Sequence, residues 1–166
     1  MKLNRITILL AVILISSLTT SCIVSNSKEN TFVEKKANQE DYDKVESAIL
    51  DYVEALYLVD STRIIKSVDP KLRKVGYYYN PSKKAYIDNL EMTHEQLVRL
   101  AARWNSDFDQ ADENSPKEIE IFDVNSKTAS AKLTAMWGID LFHLAKVDNQ
   151  WKIVNVIWQS QPEIEE

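Results

Sequence analysis

Apolar residues in the first half of the chain recur at spacings of three and four, which is the period of one helix face. The stripe begins just after Glu40, and charged residues fill the positions between its members. This pattern predicts an amphipathic helix of roughly five turns. The stripe consists of Tyr42, Val45, Ile49, Tyr52, Val53, Leu56 and Val59.

Capping residues predict two shorter helices further along the chain. Asp60 and Ser61 can cap a short helix over "STRIIKSV". Pro70 ends that helix, because the residue before a proline avoids helical geometry. Thr93 begins the third helix, since Gln96 three residues later completes a capping-box pattern.

Strand patterns fill the rest of the chain. Val75 and residues 77–79, three tyrosines, favour a strand that ends at the turn residues 80–82, so a short hairpin or a strand with a loop is expected there. After Pro116 the segments "KEIEIFDV" and "KTASAKLTAMW" alternate with period two, and two more strands follow. Helices followed by a long antiparallel meander predict an α+β fold with the helices on one sheet face.

The last two strands form a hairpin whose register follows from its turn. Asp148 and Asn149 tolerate positive φ and suit a two-residue turn. Counting back from this turn gives the pairs Val147–Gln150, Leu144–Ile153, Phe142–Asn155 and Asp140–Ile157. Both faces of this hairpin are largely apolar, so we expect one to meet the helices and the other a partner subunit. Which of the two meets the helices is left open: one face holds Asp140, Phe142, Leu144, Trp151, Ile153, Asn155 and Ile157, and the opposite face holds Leu141, His143, Ala145, Lys152, Val154, Val156 and Trp158.

Asp140 is the candidate for chemistry in this hairpin. It lies three positions from His143, so a regular strand points the two side chains to opposite faces and they cannot form an acid–base pair. Asp140 and Asn155 are predicted to share a face within diagonal reach. Asp140 is therefore a polar anchor in a pocket, a proton acceptor, or a cap near the sheet edge that meets backbone groups or a lysine.

Composition narrows the classes of function. The net charge of −5 argues against nucleic-acid binding, which needs basic patches. With only two glycines the chain lacks a phosphate-binding or dinucleotide loop, and we expect no cofactor. His94 and His143 lie far apart without a neighbouring cysteine, and the acidic loop 107–118 departs from a calcium loop at its glycine position, so no metal site is predicted.

The N-terminus has the layout of a secretory signal. Lys2 and Arg5 precede an apolar run over 6–18, and small polar residues lead to Cys22, the only cysteine. "LTTSC" resembles a bacterial lipobox, with Thr19 in place of the usual leucine. We expect a lipoprotein-type signal peptide at 1–22, a polar tether at 23–38, one domain at 39–160 and a tail at 161–166. The protein is then held in the bacterial cell envelope by a lipid on Cys22, and the alternative is a secreted or periplasmic protein.

Two segments carry a family resemblance, namely "AILDYVEALYLVDSTRIIKSVDPKLRK" and "IEIFDVNSKTASAKLTAMWGIDLFHLAKVDNQWKIVNVIW". They resemble the putative lumazine-binding family of the nuclear-transport-factor-2-like superfamily, which also holds the SnoaL-like proteins. The most specific part is the W-x-x-D-x-x-H-L pattern at 137–144. The chain departs from the family pattern at Asp69, where the family often has histidine before the proline, and at Asn149, where glycine is usual.

The resemblance implies a cone-shaped, curved antiparallel sheet packed on three N-terminal helices, with a pocket between sheet and helices. It also implies that the protein forms a homodimer through the sheet. Three functions remain open: an anchored module that binds a small apolar or aromatic ligand, a protein-interaction module using the outer sheet face, and an isomerase or dehydratase with Asp140 as general base. The predicted ligand-binding residues are Tyr57, Phe142, His143 and Asn155.

Overall fold

The apolar stripe forms helix α1 (Gln39–Tyr57) in the computed structural model, which describes residues 38–161. Asn38 caps the helix by accepting a hydrogen bond from the Asp41 amide at 3.0 Å. The helix ends two residues before the predicted stripe does, because Val59 adopts a left-handed φ of 58°. The amide of Asp60 then reaches back to the Ala55 carbonyl at 3.0 Å, which is the bond of a Schellman motif.

The two shorter helices begin at the predicted caps. Helix α2 (Ser61–Ser67) is capped by the Asp60 side chain, which accepts from the amide of Thr62. Helix α3 (His94–Ala101) begins with both bonds of the capping box between Thr93 and Gln96. In the sequence, α3 lies between two strands, so it does not follow α1 and α2 at the N-terminus of the domain as expected.

Six strands form one sheet in the order β2-β1-β6-β5-β4-β3. Their bounds are β1 (Val68–Asn80), β2 (Ala85–Met92), β3 (Glu118–Val124), β4 (Thr128–Ala135), β5 (Gly138–Val147) and β6 (Gln150–Gln159). All neighbours are antiparallel except β1 and β6, which run parallel. The α+β class is thus confirmed, with a mixed rather than a purely antiparallel sheet. The parallel pair arises because β1 leaves helix α2 and lies beside the last strand instead of starting the meander.

The final hairpin contains a β-bulge that the sequence pattern did not predict. The turn residues Asp148 and Asn149 have φ of 47° and 61°, and the predicted pairs Val147–Gln150 and Leu144–Ile153 are present. Beyond them Val154 is an extra residue on β6, so the register shifts by one. The predicted pairs Phe142–Asn155 and Asp140–Ile157 are therefore wrong, and the observed pairs are Phe142–Val156 and Asp140–Trp158.

The core lies between the helices and the inner face of the sheet. Helix α1 packs over β6, β4 and β3, and α3 packs on β1. The inner face of the final hairpin is formed by Asp140, Phe142, Leu144, Trp151, Ile153 and Val156, all buried. The outer face carries Leu141 and Ile157, which expose 43% and 42% of their surface. The sequence predicted that this face is apolar, but its assignment of Ile157 to the opposite face, and of Val156 and Trp158 to this one, is wrong because the bulge reverses the parity beyond Val154.

Several predictions fall outside the described residues. They concern the signal peptide at 1–22 and, apart from residues 38 and 161, the tether at 23–38 and the tail at 161–166. Within residues 38–161, each helix is too short or too polar to cross a membrane.

Candidate functional site

Asp140 lies at the centre of a buried polar cluster. It is fully buried on the inner face of β5. Its Oδ1 atom accepts from Lys74 Nζ at 3.1 Å and from Tyr52 Oη at 3.3 Å, and its Oδ2 atom accepts from Trp137 Nε1. Both carboxylate oxygens are therefore engaged by donors from α1, β1 and the β4–β5 turn.

Lys74 supplies the positive charge of the cluster. It shares the buried side of β1 with Leu72 and Gly76, and its side chain is 5% exposed. Its Nζ atom also donates to Tyr52 Oη at 2.8 Å. Burial lowers the pKa of the Lys74 ammonium, and the charge of Asp140 opposes this effect. Burial also raises the pKa of Tyr52 well above its usual value, with a further contribution from the charge of Asp140, so Tyr52 remains a neutral donor.

The cluster borders a cavity of about 100 Å³ between α1, α3, β1 and β6. Its wall is almost entirely apolar and aromatic, and Lys74 is the charged residue that reaches it. Asp140 lies behind Lys74 and Tyr52 and is not part of the wall. The lining residues are Tyr52, Leu56, Lys74, Met92, Leu97, Leu100, Trp104, Trp137 and Trp158. A lone ammonium in an aromatic wall provides one fixed point of polar recognition for a ligand.

Trp158 occupies its place in this wall because residue 76 is glycine. A Cβ atom at Gly76 would lie 1.9 Å from Trp158 Nε1, well inside contact distance. Lys74 Nζ lies 5.4 Å from the centre of the Trp158 ring, within the range of a cation–π interaction. The buried Trp158 Nε1 has no hydrogen-bond partner among residues 38–161.

Tyr57 lies next to the cavity wall and supports it. Its ring stacks on Trp104 at 6.0 Å and meets Trp137 edge-on at 5.8 Å. Its hydroxyl donates to the Pro116 carbonyl at 2.8 Å and accepts from the Met136 amide at 2.9 Å. Burial raises the pKa of Tyr57. These bonds occupy the hydroxyl, so the direct role of Tyr57 is to hold two tryptophans in position.

The other predicted site residues lie apart from the cavity wall. Phe142 is buried beneath it, with its ring edge-on to Tyr52 at 5.1 Å. His143 and Asn155 lie together on the outer face, with Asn155 Nδ2 3.3 Å from His143 Nδ1. The expectation that Asn155 shares a face with Asp140 is wrong, because the bulge at Val154 turns Asn155 outward. The placement of Asp140 and His143 on opposite faces is confirmed.

Sequence reasoning did not single out Lys74, Trp104 or Trp158 as site residues. A signal for Lys74 was present: it stands at the position of "LRKVG" that has the parity of Leu72, where a strand places its buried residues. Trp104 lies beyond the end of α3 and Trp158 beyond the bulge, so their positions depended on tertiary structure.

Two further expectations concern a metal site and the lipid site at Cys22. Within residues 38–161, no three His, Cys, Asp or Glu side chains lie close enough to hold a metal ion. Cys22 falls outside the described residues.

Comparison with known proteins agrees with this architecture. The family model described as "Putative lumazine-binding" matches residues 40–159, which is most of the chain. The chain belongs to this family. A comparison with curated proteins gives no match. The family assignment predicted from the W-x-x-D-x-x-H-L pattern is thus confirmed.

Solved structures show the same fold at low sequence identity. An NTF2-like protein of unknown function from Shewanella baltica has a TM-score of 0.54 at 18% identity, covering 77% of this chain and 99% of that one. One from Silicibacter pomeroyi has a TM-score of 0.52 at 18% identity, covering 71% and 93%. A protein of unknown function with a cystatin-like fold from Nostoc punctiforme reaches 0.55 at 11% identity, covering 78% and 97%. This putative lumazine-binding family member therefore has the nuclear-transport-factor-2-like fold that the sequence predicted.

Proposed function

We propose that this protein binds a small planar aromatic ligand in the cavity, with the Lys74 ammonium as its polar anchor. The observation that carries the proposal is a single charged group reaching an aromatic wall, held there by a counter-ion behind it. Two of the three ammonium protons point to Asp140 and Tyr52, which leaves one donor for a ligand oxygen. The name of the family supports a flat heteroaromatic ligand with carbonyl oxygens, such as lumazine.

The size of the cavity limits what fits without movement. A volume of about 100 Å³ corresponds to roughly three waters at liquid density. Typical ligand pockets enclose about 300–1,000 Å³. A single aromatic ring suits the cavity with slight adjustment of the wall, and a second ring requires a wall side chain to move. Met92 is the best candidate, because it is half-buried at the end of β2 and methionine adapts easily to new packing.

Tryptophan fluorescence provides the test, because three of the four tryptophans line the cavity. We expect saturable quenching when lumazine is titrated into the protein. Lys74→Met should weaken binding about 10- to 100-fold, since hydrogen bonds to charged groups contribute about 1.5–3 kcal/mol. Lys66→Met is the matched control, because Lys66 lies exposed on α2. Unchanged affinity in Lys74→Met, with the fold intact by circular dichroism, would exclude the anchor.

Catalysis by Asp140 is the alternative at the same site. A general base needs a carboxylate oxygen that can reach substrate, and the Asp140 oxygens face three protein donors behind the cavity wall. This arrangement favours a counter-ion over a base. An isomerase would exchange the α-hydrogens of a bound ketone with deuterated water, and Asp140→Asn would abolish that exchange. Exchange at the rate of free ketone would argue for binding alone.

We also propose that the outer sheet face joins two copies of the chain. Leu141, Ile157 and Phe122 present exposed apolar surface on strands of this face or its edge, which is unusual for an isolated monomer. A predicted ligand contact by His143 and Asn155 would then lie at the subunit interface. Sedimentation should give a dimer that Leu141→Lys converts to a monomer, while Ile65→Lys on α2 has no effect. If the protein stays monomeric at high concentration, the dimer is refuted. The outer face would then be the binding surface for another envelope protein.

Location in the cell envelope is the last part of the proposal. Its support is the signal-like run before Cys22 and the lipobox resemblance. Metabolic labelling with palmitate in a bacterial host should label the protein, and Cys22→Ser should remove the label. Label retained in Cys22→Ser would reject the anchor.

A further inference from the structure

We propose that Lys74 condenses with small aromatic aldehydes to form an imine inside the cavity. This inference rests on the proposed binding function and adds a covalent step to it. The geometry that points to it is an amine on an apolar, aromatic wall with a carboxylate and a phenol in contact with it. This geometry assigns small aromatic aldehydes as a substrate class of the cavity.

The amine meets the requirements of a nucleophile. Among the lysines of residues 38–161, Lys74 alone is buried. An ammonium attacks a carbonyl only after it loses a proton, and exposed lysines hold theirs at neutral pH. Burial lowers the pKa of Lys74, so desolvation favours the reactive form. Asp140 Oδ1 at 3.1 Å and Tyr52 Oη at 2.8 Å lie within reach of the proton that leaves.

The reaction balances without an oxidant or reductant. The ammonium first gives one proton to the Asp140 and Tyr52 pair. The nitrogen lone pair then attacks the carbonyl carbon, a C–N bond forms, and the C=O electron pair moves to oxygen, which takes back the proton from Tyr52, the member of the pair that lines the cavity. The carbinolamine nitrogen then gives a second proton through the same pair to the hydroxyl group, and the nitrogen lone pair forms the C=N bond and expels that group as water. The nitrogen keeps one hydrogen, so aldehyde and ammonium become a protonated imine and one water.

The cavity stabilises the product of this reaction. The protonated imine keeps the charge of the original ammonium, so Asp140 remains its counter-ion. The Trp158 ring at 5.4 Å adds a cation–π contact. An apolar wall also disfavours the return of water, which would hydrolyse the imine. A cavity of about 150 Å³ in another protein binds benzene, so one of about 100 Å³ suits a single ring with slight adjustment of the wall.

Reductive trapping tests the proposal with the full chain. Benzaldehyde and sodium cyanoborohydride are added at neutral pH, and the protein is examined by intact mass and peptide mapping. We expect one benzyl group per chain on Lys74, at least about tenfold above any other lysine, because binding raises the local aldehyde concentration. Lys74→Arg keeps the positive charge and should lose the adduct, whereas Lys66→Arg should retain it.

A parallel titration separates this proposal from the binding function. Benzyl alcohol has the same ring but no carbonyl, and its binding is followed by tryptophan quenching. Quenching by the alcohol without an adduct on Lys74 overturns imine formation and leaves ligand binding in place. Absence of both overturns both. An adduct spread evenly over surface lysines also overturns imine formation at Lys74. This outcome is measured on the unsubstituted protein, so the test holds even if Lys74→Arg fails to fold.

Discussion

Substitution of Asp140 by asparagine tests whether the buried cluster holds the core together. The change keeps the shape of the side chain and removes its charge. Lys74 then has no counter-ion, and the new amide places an N–H₂ group against donors from Lys74, Tyr52 or Trp137. Lys74 can respond by releasing its proton, which limits the loss of stability but leaves the donors mismatched.

The expected magnitude follows from the burial of both partners. Asp140 is 0% exposed and the Lys74 side chain 5%, so solvent cannot replace the lost charge. Removing one partner of a buried ion pair costs about 3–5 kcal/mol of unfolding free energy. For a chain of this size each kcal/mol shifts the melting temperature by roughly 2–4 °C. We therefore expect Asp140→Asn to melt roughly 6–20 °C below the unsubstituted protein.

Thermal and urea unfolding followed by circular dichroism measure this loss. Asp43→Asn is the matched control, because Asp43 lies exposed on α1, and its effect should stay within about 0.5 kcal/mol. The double variant Lys74→Met with Asp140→Asn should lose less than the sum of the two single losses, because it leaves no unpaired charge. A loss below about 1 kcal/mol in Asp140→Asn, or strict additivity in the double variant, would refute the ion pair as a source of stability.

Three further changes test other parts of the fold. Val59→Gly should raise the unfolding free energy by about 1 kcal/mol, because Val59 adopts a left-handed φ of 58° that costs an L-residue about 1–2 kcal/mol. A destabilised variant would show that the packing of the half-buried Val59 side chain outweighs this backbone strain. Gly76→Ala should displace Trp158, lowering stability by about 1–3 kcal/mol and altering tryptophan emission, and an unchanged spectrum would contradict the close contact. The hydrogen bond from Lys146 and, to a smaller extent, the one from Trp151 lower the pKa of Asp41 below its ordinary value of 3.8. The stability that the Asp41 carboxylate contributes is therefore present above pH 3.8 and is lost as the pH falls through the lower pKa of the folded protein. Asp41→Asn should accordingly reduce the melting temperature at neutral pH and much less in strong acid, and an equal reduction at both would argue against the charge.

Local chemistry predicted much of the fold. The caps at Asp60 and Thr93 and the turn at Asp148 and Asn149 act within a few residues, and the structure contains all of them. Such features depend on hydrogen bonds and φ preferences of neighbouring residues, which the sequence displays directly. The family resemblance then supplied the arrangement of these elements.

The candidate site was harder to predict because its members come from distant segments. Tyr52, Lys74 and Asp140 belong to α1, β1 and β5, and their contact depends on β1 lying beside β6. Nothing in the alternation of the final strands shows the extra residue at Val154, so Asn155 was assigned to the wrong face. Of the roles left open for Asp140, contact with a lysine is present, but the residue is fully buried on the inner face and the lysine comes from another strand.

The bulge at Val154 divides β6 into two halves of opposite parity. Odd-numbered residues face inward before it, as Trp151 and Ile153 do, and even-numbered residues face inward after it, as Val156 and Trp158 do. Straightening the strand with all its residues retained would restore a single parity and present Ile157 to the interior in place of the indole, whereas deleting Val154 would remove the bulge and leave Trp158 facing inward. The bulge thus sets which side chain meets a ligand in the cavity, and homologues with a strand of the same length but no bulge are expected to present a different residue there without any change to their helices.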